Sequence, residues 1–409
     1  MTNEKTTTRE TTRSGPGPLH GIRVVDLSCV LSGPAATMLL ADQGADVIKV
    51  EALTGDITRQ MGRGHDGITS FFLSTNRGKR SIALDLKQAE GLAVVHRLVR
   101  TADVFVQNFR PGVIERLGLG HAAVRRLRDD IVYVSISGFG SNGPYAEHRV
   151  YDPVIQALSG LADIQSDAAS GRPRMVRTII PDKTTALTAA QAICAALVAR
   201  ERTGQGKLVE VAMLDTMIAY LWPEGMNSLT IVEDAANDGA AAGLAQDLVY
   251  ETNDGYITAG AVTDDEWAGM CAALDRPQWL HDPRFATPAA RVAHADVRLI
   301  ATAEVLATRS TAQWLERLRS YGVPCAPVLR REQVLVDEQV LANDLILEYE
   351  HPRVGRVRQA RPAARFSGTQ VERMPVAPAL GQHSEDILHE LDYTATEISA
   401  LTARGVIRL

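Results

Sequence analysis

Asp182 is the acidic residue whose sequence context most favours chemistry. It lies in IIPDKTTALTAAQAI, directly after Pro181 and before an apolar, Ala-rich segment of helical composition. An aspartate at such a place is a good helix N-cap, and the positive end of the helix dipole stabilises its charge by about 0.3 to 1 kcal/mol. The same ionised carboxylate can act as a nucleophile toward a thioester. The local sequence favours the N-cap, and one residue can serve both purposes.

A glycine-rich motif suggests a nucleotide site, but its context argues against one. Gly138-Phe-Gly-Ser-Asn-Gly143 has the G-x-G-x-x-G spacing, yet Pro144 and polar residues follow where the dinucleotide fingerprint requires a helix. We therefore predict a glycine turn or an acyl-site loop rather than a NAD site. The sequence has no GxxxxGK[ST] phosphate loop, no GxSxG elbow and no HExxH metal pair.

Composition narrows the class of ligand. The chain is 45% apolar and 22% charged with a formal net charge of −6, which is the balance of a globular protein with a large core. Such a charge gives no global attraction to nucleic acid or anionic lipid, so we predict a small anionic ligand and neither a nucleic-acid nor a membrane partner. The cysteines are scattered without a CxxC pair, which favours reduced thiols and a cytoplasmic location.

Strands and helices alternate through the first half of the chain. GIRVVDLS and ADVIKVE are predicted strands around the helical segment GPAATMLLADQGA, and KRSIALDL, ADVFVQNF, IVYVSIS and KLVEVAML continue the pattern. The segment from Thr184 to Arg200 predicts a buried helix that ends near Gly204. This alternation predicts an α/β fold with a parallel sheet covered by helices, hence a Rossmann-like large domain.

A chain of 409 residues favours two domains. We predict a disordered tail over 1–18, a large Rossmann-like domain over 19–225, a smaller α+β domain with linkers over 226–335, and a return to the large domain over 336–409. Within them, the Gly- and Ala-rich run 233–243 is a predicted loop or linker, YETNDGYITAGA a hairpin, and GQHSEDILHELDYTATEISALTARGVI two short helices.

Seven segments in order resemble the signatures of the class III CoA-transferase (CaiB/BaiF) family. They are GIRVVDLSCVLSGP, LADQGADVIKVE, NRGKRSIALDLK, ADVFVQNFRPGVIERLG, VYDPVIQALSG, PDKTTAL and RERTGQGKLVEVAMLD. The resemblance runs from about Gly21 to Asp215 and continues more weakly in RSYGVPCAPVL and LGQHSEDIL. It implies an interlocked homodimer whose large domain is built from both chain ends, with acyl-CoA and a small carboxylic acid as substrates and no permanently bound cofactor.

The resemblance also implies roles for individual residues. Asp182 matches the aspartate that attacks the acyl-CoA thioester, forming first an anhydride and then an aspartyl thioester. The CoA-binding positions match Cys29, Val30, Ser32, Leu84, Lys87, Asn108, Phe109, Arg110, Arg116, Arg149, Tyr151 and Asp152. Arginine and lysine suit phosphate because they donate charge-assisted hydrogen bonds. Taken alone, however, Lys79, Arg80 and Lys87 could equally form a solvated basic face.

Departures from the family pattern bear on the reaction. Leu31 and Ala52 replace a glutamine and an arginine of formate-specific members, which argues against formyl and oxalyl transfer. The main alternative is an α-methylacyl-CoA racemase, but Tyr151 stands where racemases have a catalytic histidine, and a tyrosine that titrates near 10 is a poor base at neutral pH. His148, three residues away, leaves this alternative open. A non-catalytic CoA-binding protein is a third reading, which the intact PDK segment opposes.

Overall fold

The computed structural model of the chain describes residues 17–167, 170–232, 247–367 and 376–409. The predicted tail, apart from its last two residues, and the predicted linker 233–243 lie outside these ranges. The strands are β1 Arg23–Asp26, β2 Asp46–Glu51, β3 Gly64–His65, β4 Ile68–Thr69, β5 Lys79–Leu84, β6 Val104–Gln107, β7 Val132–Ser137, β8 Leu208–Ala212, β9 Val249–Glu251, β10 Tyr256–Ala259, β11 Cys325–Pro327, β12 Ile346–His351, β13 Gly355–Ala360 and β14 Ile407–Arg408.

Helices connect and cover these strands. They are α1 Ser32–Ala41, α2 Ser70–Asn76, α3 Ala89–Thr101, α4 Val113–Arg116, α5 His121–Leu127, α6 Asp152–Leu158, α7 Leu161–Ile164, α8 Ile180–Thr203, α9 Met213–Leu221, α10 Asp264–Ala273, α11 Pro288–Ala293, α12 Ala295–Leu306, α13 Thr311–Ser320, α14 Arg331–Val334, α15 Glu338–Ala342, α16 Ser384–Glu390 and α17 Ala395–Ala403. Among the residues described, no helix has both the length and the apolar character needed to cross a bilayer.

A seven-stranded sheet forms the centre of the first compact unit. Its strand order is β14-β5-β2-β1-β6-β7-β8. Every neighbouring pair is parallel except β14 and β5, which are antiparallel. The chain therefore winds outward from β1 in two directions, and the order reverses between β1 and β6. The predicted parallel sheet is confirmed, with one short antiparallel edge strand that the sequence pattern did not indicate.

Helices pack against both faces of this sheet. On one face, α3, α5, α16 and α17 bury apolar side chains such as Val95, Leu98 and Ile387 against the strands. On the other face, α1 and α8 do the same through residues such as Leu40 and Ile193. The strands are buried on both sides, which explains their nearly continuous apolar sequences. The predicted pair of helices near the C-terminus is present, and both contribute to this core.

Packing divides the chain into two compact units. The first comprises the chain up to Tyr220 and from Asp344 onward, and the second comprises Leu221–Asn343. The second unit contains a three-stranded antiparallel sheet, β11-β10-β9, in which β9 and β10 form the predicted hairpin. Its core brings together the aromatic side chains of Trp267, Trp279, Phe285 and Trp314 with aliphatic residues of α10, α12 and α13.

The helix that carries Asp182 differs from its prediction in length and burial. It begins at Ile180, before the predicted start, and ends at Gly204, which adopts the left-handed φ of 66° expected of a C-terminal glycine. The prediction of a buried helix holds for one face only: Ala189 and Ile193 are fully buried, whereas Leu187 and Val198 are 60% and 52% exposed.

Candidate active site

Two loops at the carboxyl edge of the sheet contribute five of the thirteen predicted site residues: Cys29, Val30, Asn108, Phe109 and Arg110. Residues 27–31 follow β1, and residues 108–112 follow β6. These two strands are neighbours at the point where the strand order reverses. In open α/β sheets, loops diverge at such a point and leave a crevice that binds ligands. The topology alone therefore makes the space between the two loops a candidate binding site.

A cavity of about 460 Å³ occupies this crevice and contains Asp182. Leu31, His148 and Gly138, the first residue of the glycine motif, also line it. No helix follows the glycine motif before α6, which begins at Asp152. The cavity brings together nine of the predicted site residues: Cys29, Val30, Ser32, Asn108, Phe109, Arg110, Arg149, Tyr151 and Asp182.

The loop that follows β1 also lines a second cavity of about 600 Å³, through Leu27, Ser28 and Cys29, and Lys49 and Asp56 line it as well. Leu84 and Lys87, the residues predicted to lie near adenine, both line it. Cys29 and Phe109 line this cavity as well as the one that contains Asp182. A single elongated ligand could therefore extend from Lys87 past Cys29 to Asp182.

Two predicted site residues line neither cavity. Asp152 is 3% exposed, and its carboxylate accepts a hydrogen bond from the backbone N–H of Asp182 at 3.3 Å. This hydrogen bond helps to fix the backbone at Asp182. Arg116 is exposed on α4 and is absent from the lining of both cavities.

Asp182 is not a helix N-cap, so the local expectation is wrong. It is the third residue of α8, whose N-cap position is Ile179. Its carboxylate instead accepts a hydrogen bond from the hydroxyl of Ser32, the first residue of α1. The positive ends of two helix dipoles therefore meet at this carboxylate, which favours negative charge there.

Burial opposes that charge. Desolvation raises the pKa of Asp182 above its ordinary value, and the nearby Asp152 carboxylate raises it further, while the hydrogen bond from Ser32 partly offsets both effects. An ionised carboxylate that has lost part of its hydration, and that lines a cavity, is suited to attack an electrophilic carbonyl carbon.

The loop after β1 is held by the side chain of Asp56, which the sequence analysis did not single out, and by that of Asn108, which it assigned to CoA. Val30 has a φ of 68°, and its N–H points at the carboxylate of Asp56. Asn108, which was expected to contact CoA, uses its side-chain amide to bind both the N–H and the C=O of Cys29. A signal for Asp56 was available, because the run Gly-Asp-Ile-Thr is typical of an aspartate that caps a turn.

Two exposed arginines line the Asp182 cavity. Arg110 and Arg149 both line it and are exposed. Neither guanidinium forms an ion pair with a carboxylate in the part of the chain that the structure describes. Unpaired guanidinium groups are suited to bind carboxylate or phosphate oxygens of a ligand.

Comparison with known proteins identifies the class to which this fold and site belong. Residues 19–384 match the model of CoA-transferase family III, so the chain is a member of that family. The predicted family and the predicted class of enzyme, a CoA-transferase, are thereby confirmed.

Individual relatives extend over nearly the whole chain. A succinyl-CoA:glutarate CoA-transferase from Homo sapiens is 36% identical over 95% of this chain and 90% of its own length. A formyl-CoA:oxalate CoA-transferase from Streptomyces coelicolor is 32% identical over 95% of this chain and 99% of its own. A crystal structure of a CaiB/BaiF family protein from Brucella suis superposes with a TM-score of 0.78 at 32% identity, covering 92% of this chain and all of that one.

Proposed function

We propose that Asp182 is the nucleophile of this CoA-transferase and that the acyl-CoA lies across the two cavities. The observation that carries this proposal is their junction at Cys29 and Phe109, with Asp182 in one cavity and Lys87 in the other. In this pose the nucleotide lies near Lys87 and the pantetheine passes Cys29. The sheet order, which reverses between β1 and β6, supports a Rossmann-like description of the unit that binds the ligand.

The proposed reaction passes through two kinds of covalent intermediate. The Asp182 carboxylate attacks the thioester carbonyl, the C–S bond breaks, and CoA thiolate leaves an acyl-aspartyl anhydride. The thiolate then attacks the aspartyl carbonyl, which releases the donor acid and forms an aspartyl-CoA thioester. The acceptor carboxylate reverses these steps and regenerates Asp182. Each step exchanges one acyl leaving group for another, so no step requires free CoA to be acylated by an unactivated acid.

We propose dicarboxylic acids of four or five carbons as the donor and acceptor acids. Arg110 and Arg149 supply guanidinium groups in the Asp182 cavity that have no ion-pair partner among the described residues. Either could hold the distal carboxylate of a succinyl or glutaryl group. The human relative is named for succinyl-CoA and glutarate, which supports this choice. Leu31, nearly buried at 5% exposure, adds an apolar wall suited to the methylene groups of such a chain.

We propose that the protein is an interlocked homodimer located in the cytoplasm. Support for the dimer comes from Leu187 and Val198 on the outer face of α8, which are 60% and 52% exposed, and from an adjoining apolar cavity of about 790 Å³ lined by Leu187, Val357 and Phe366. Exposed apolar surface of this kind is typical of an interface between chains. All four cysteines are free thiols, which suits the reducing cytoplasm. Sedimentation should give twice the chain mass, and a monomer would contradict the dimer.

Intact-mass measurement tests the nucleophile. The protein is incubated with succinyl-CoA, glutaryl-CoA, acetyl-CoA and butyryl-CoA, without acceptor, and its mass is compared with that of Asp182→Ala. We expect wild type to gain the mass of CoA less one water with the dicarboxylyl donors, and Asp182→Ala to gain nothing. Asp163→Ala, which removes an exposed carboxylate outside both cavities, is the matched control and should behave as wild type.

Racemisation remains the second candidate because His148 lines the same cavity as Asp182. An Asp and a His on opposite sides of a substrate α-carbon could exchange its proton. Incubation of a 2-methylacyl-CoA in heavy water separates the two functions. Absence of any CoA adduct, together with α-proton exchange that His148→Ala abolishes, would replace the transferase mechanism by racemisation.

A further inference from the structure

Val30 adopts a backbone conformation that its side chain disfavours. Its φ of 68° lies in the left-handed region, where a β-branched residue is a genuine outlier. Outliers of this kind persist only where the surroundings hold them, and they cluster at functional sites. Val30 lies two residues before Ser32, whose hydroxyl contacts Asp182. The conformation of Val30 therefore sets the direction in which the chain enters α1.

A buried ion pair holds this residue in place. The Val30 N–H lies 3.4 Å and 3.3 Å from the two carboxylate oxygens of Asp56. Lys49 donates to Asp56 at 3.0 Å and to the carbonyl oxygen of Ser28 at 2.9 Å. The side chains of Lys49 and Asp56 are each 1% exposed, so the pair is almost fully shielded from water, although both residues line the second cavity.

Electrostatics keeps the pair charged. Burial raises the pKa of Asp56 by desolvation, but Lys49 and the hydrogen bonds from Thr58 outweigh it and leave the pKa below its ordinary value. The carboxylate is consequently ionised at neutral pH and accepts strong hydrogen bonds. Asn108 holds the preceding residue, Cys29, by two further bonds at 2.9 Å and 2.8 Å. The backbone from Ser28 to Val30 is thus fixed by side chains from outside the loop.

We infer that Asp56, together with Lys49, is a positioning residue that holds residues 28–32 so that Ser32 orients the Asp182 carboxylate for attack. This inference rests on the proposed role of Asp182 as nucleophile. Asp56 lines the second cavity but not the one that contains Asp182, so it acts on the reacting atoms through Val30 and Ser32 and not by contact with them.

Kinetics of Asp56 variants in two backgrounds tests the inference. We expect Asp56→Asn and Asp56→Ala to lower kcat about tenfold or more while the KM for acyl-CoA changes less than about threefold. Glycine populates the left-handed region without steric cost. In a Val30→Gly background, the same Asp56 substitutions should therefore lower kcat by much less. Asp103→Asn breaks another set of partly buried ion pairs, with Arg128 and Arg200. This set does not touch residues 28–32 and lies outside the cavities described above, so kcat should be unchanged.

Hydrogen exchange supplies a readout that does not depend on activity. Amides of residues 28–32 should exchange about tenfold faster in Asp56→Asn than in wild type, and no faster in Asp103→Asn. Wild-type kcat and wild-type exchange in Asp56→Asn would overturn the inference. A loss of kcat that is equally large in the Val30→Gly background would also overturn it, because Asp56 would then serve only general stability. If wild type forms no adduct, the proposed nucleophile fails while the exchange experiment still decides the role of Asp56.

Discussion

Replacement of Asp26 by asparagine should strongly destabilise the large sheet. Asp26 ends β1 and pairs with Lys79 at 2.9 Å, and both side chains are 0% exposed. Its oxygens also accept from Thr37 at 2.6 Å and from the N–H of Ser28 at 2.9 Å. Burial alone would raise the pKa of Asp26, but Lys79, Lys49 and the hydroxyl donors lower it from 3.8 to about 2. A fall of that size corresponds to about 2 kcal/mol of net stabilisation of the charged form.

The loss of stability expected for Asp26→Asn is larger than this net stabilisation of the charged form. Asp26→Asn leaves Lys79 buried with the neutral acceptors Pro34 O and Asn76 Oδ1 at 2.8 Å and 2.9 Å, and breaking one side of a buried pair costs about 3 to 5 kcal/mol. Urea unfolding, followed by circular dichroism at pH 7, measures this loss in the free energy of unfolding. Because the folded pKa is lowered, the contribution is present above pH 3.8 and lost as the pH falls toward 2, so the two proteins should converge only in acid.

Two further variants make the test specific. Asp46 pairs with Arg23 and Arg80 but is 34% exposed, so Asp46→Asn should cost at most about 1 kcal/mol. Adding Lys79→Met to Asp26→Asn removes the buried charge that has lost its partner, and it should recover much of the lost free energy of unfolding. The reasoning is refuted if Asp26→Asn costs no more than Asp46→Asn, or if the double variant loses the sum of both single losses.

Three other predictions follow from the site and its helix. Asp182→Asn should abolish transfer yet raise the Tm at pH 7. Because the pKa of Asp182 is raised in the folded protein, the stability that its protonated carboxyl contributes is fully present below pH 3.8 and is lost as the pH rises through the folded pKa. Scanning fluorimetry from pH 3 to 8 should show a Tm gain of the variant over wild type that grows with pH, and an unchanged Tm at pH 7 would contradict the prediction. Lys87→Ala should raise the KM for acyl-CoA severalfold with kcat unchanged, whereas the exposed Lys207→Ala should leave both unchanged. Gly204→Ala should cost about 1 kcal/mol in urea unfolding, since φ is 66° at the end of α8, and no loss would mean that the turn relaxes freely.

Local pattern predicted most elements of the fold. The strands of the large sheet are short apolar runs between helical segments. Each of the six runs predicted for this sheet contains one of its strands: β1, β2, β5, β6, β7 or β8. Capping signals ended α8 at Gly204 as predicted. These features depend on neighbours within a few residues, which the sequence displays directly. The one-sided burial of α8 was not predicted, because an Ala-rich helix has no polar stripe to mark its outer face.

Long-range partners explain what the pattern did not predict. Lys79 was a candidate for a solvated basic face, but it is fully buried because Asp26, 53 residues earlier, supplies its counter-charge. The Asp182 carboxylate accepts a hydrogen bond from Ser32, 150 residues earlier in the chain, and not from the backbone of its own helix as an N-cap would. The local turn signal of Asp56 does not reveal its contact with Val30, 26 residues earlier, so its role was overlooked. Family resemblance located nine residues of one cavity, because relatives record such distant contacts where a single local window does not.

The short strand β14 bears on how the protein is made. Ile407 pairs with Leu84, and Ile387, Leu388 and Leu401 lie in the same core as β5, more than 300 residues earlier in the chain. A ribosome adds about 5 to 20 residues per second, so roughly 15 to 60 s separate the synthesis of these partners. During that interval the nascent sheet has an uncovered edge at the strand that leads to Lys87. Chaperone binding to this edge, or its pairing with another nascent copy, would be most frequent in that window and should end once the final residues emerge.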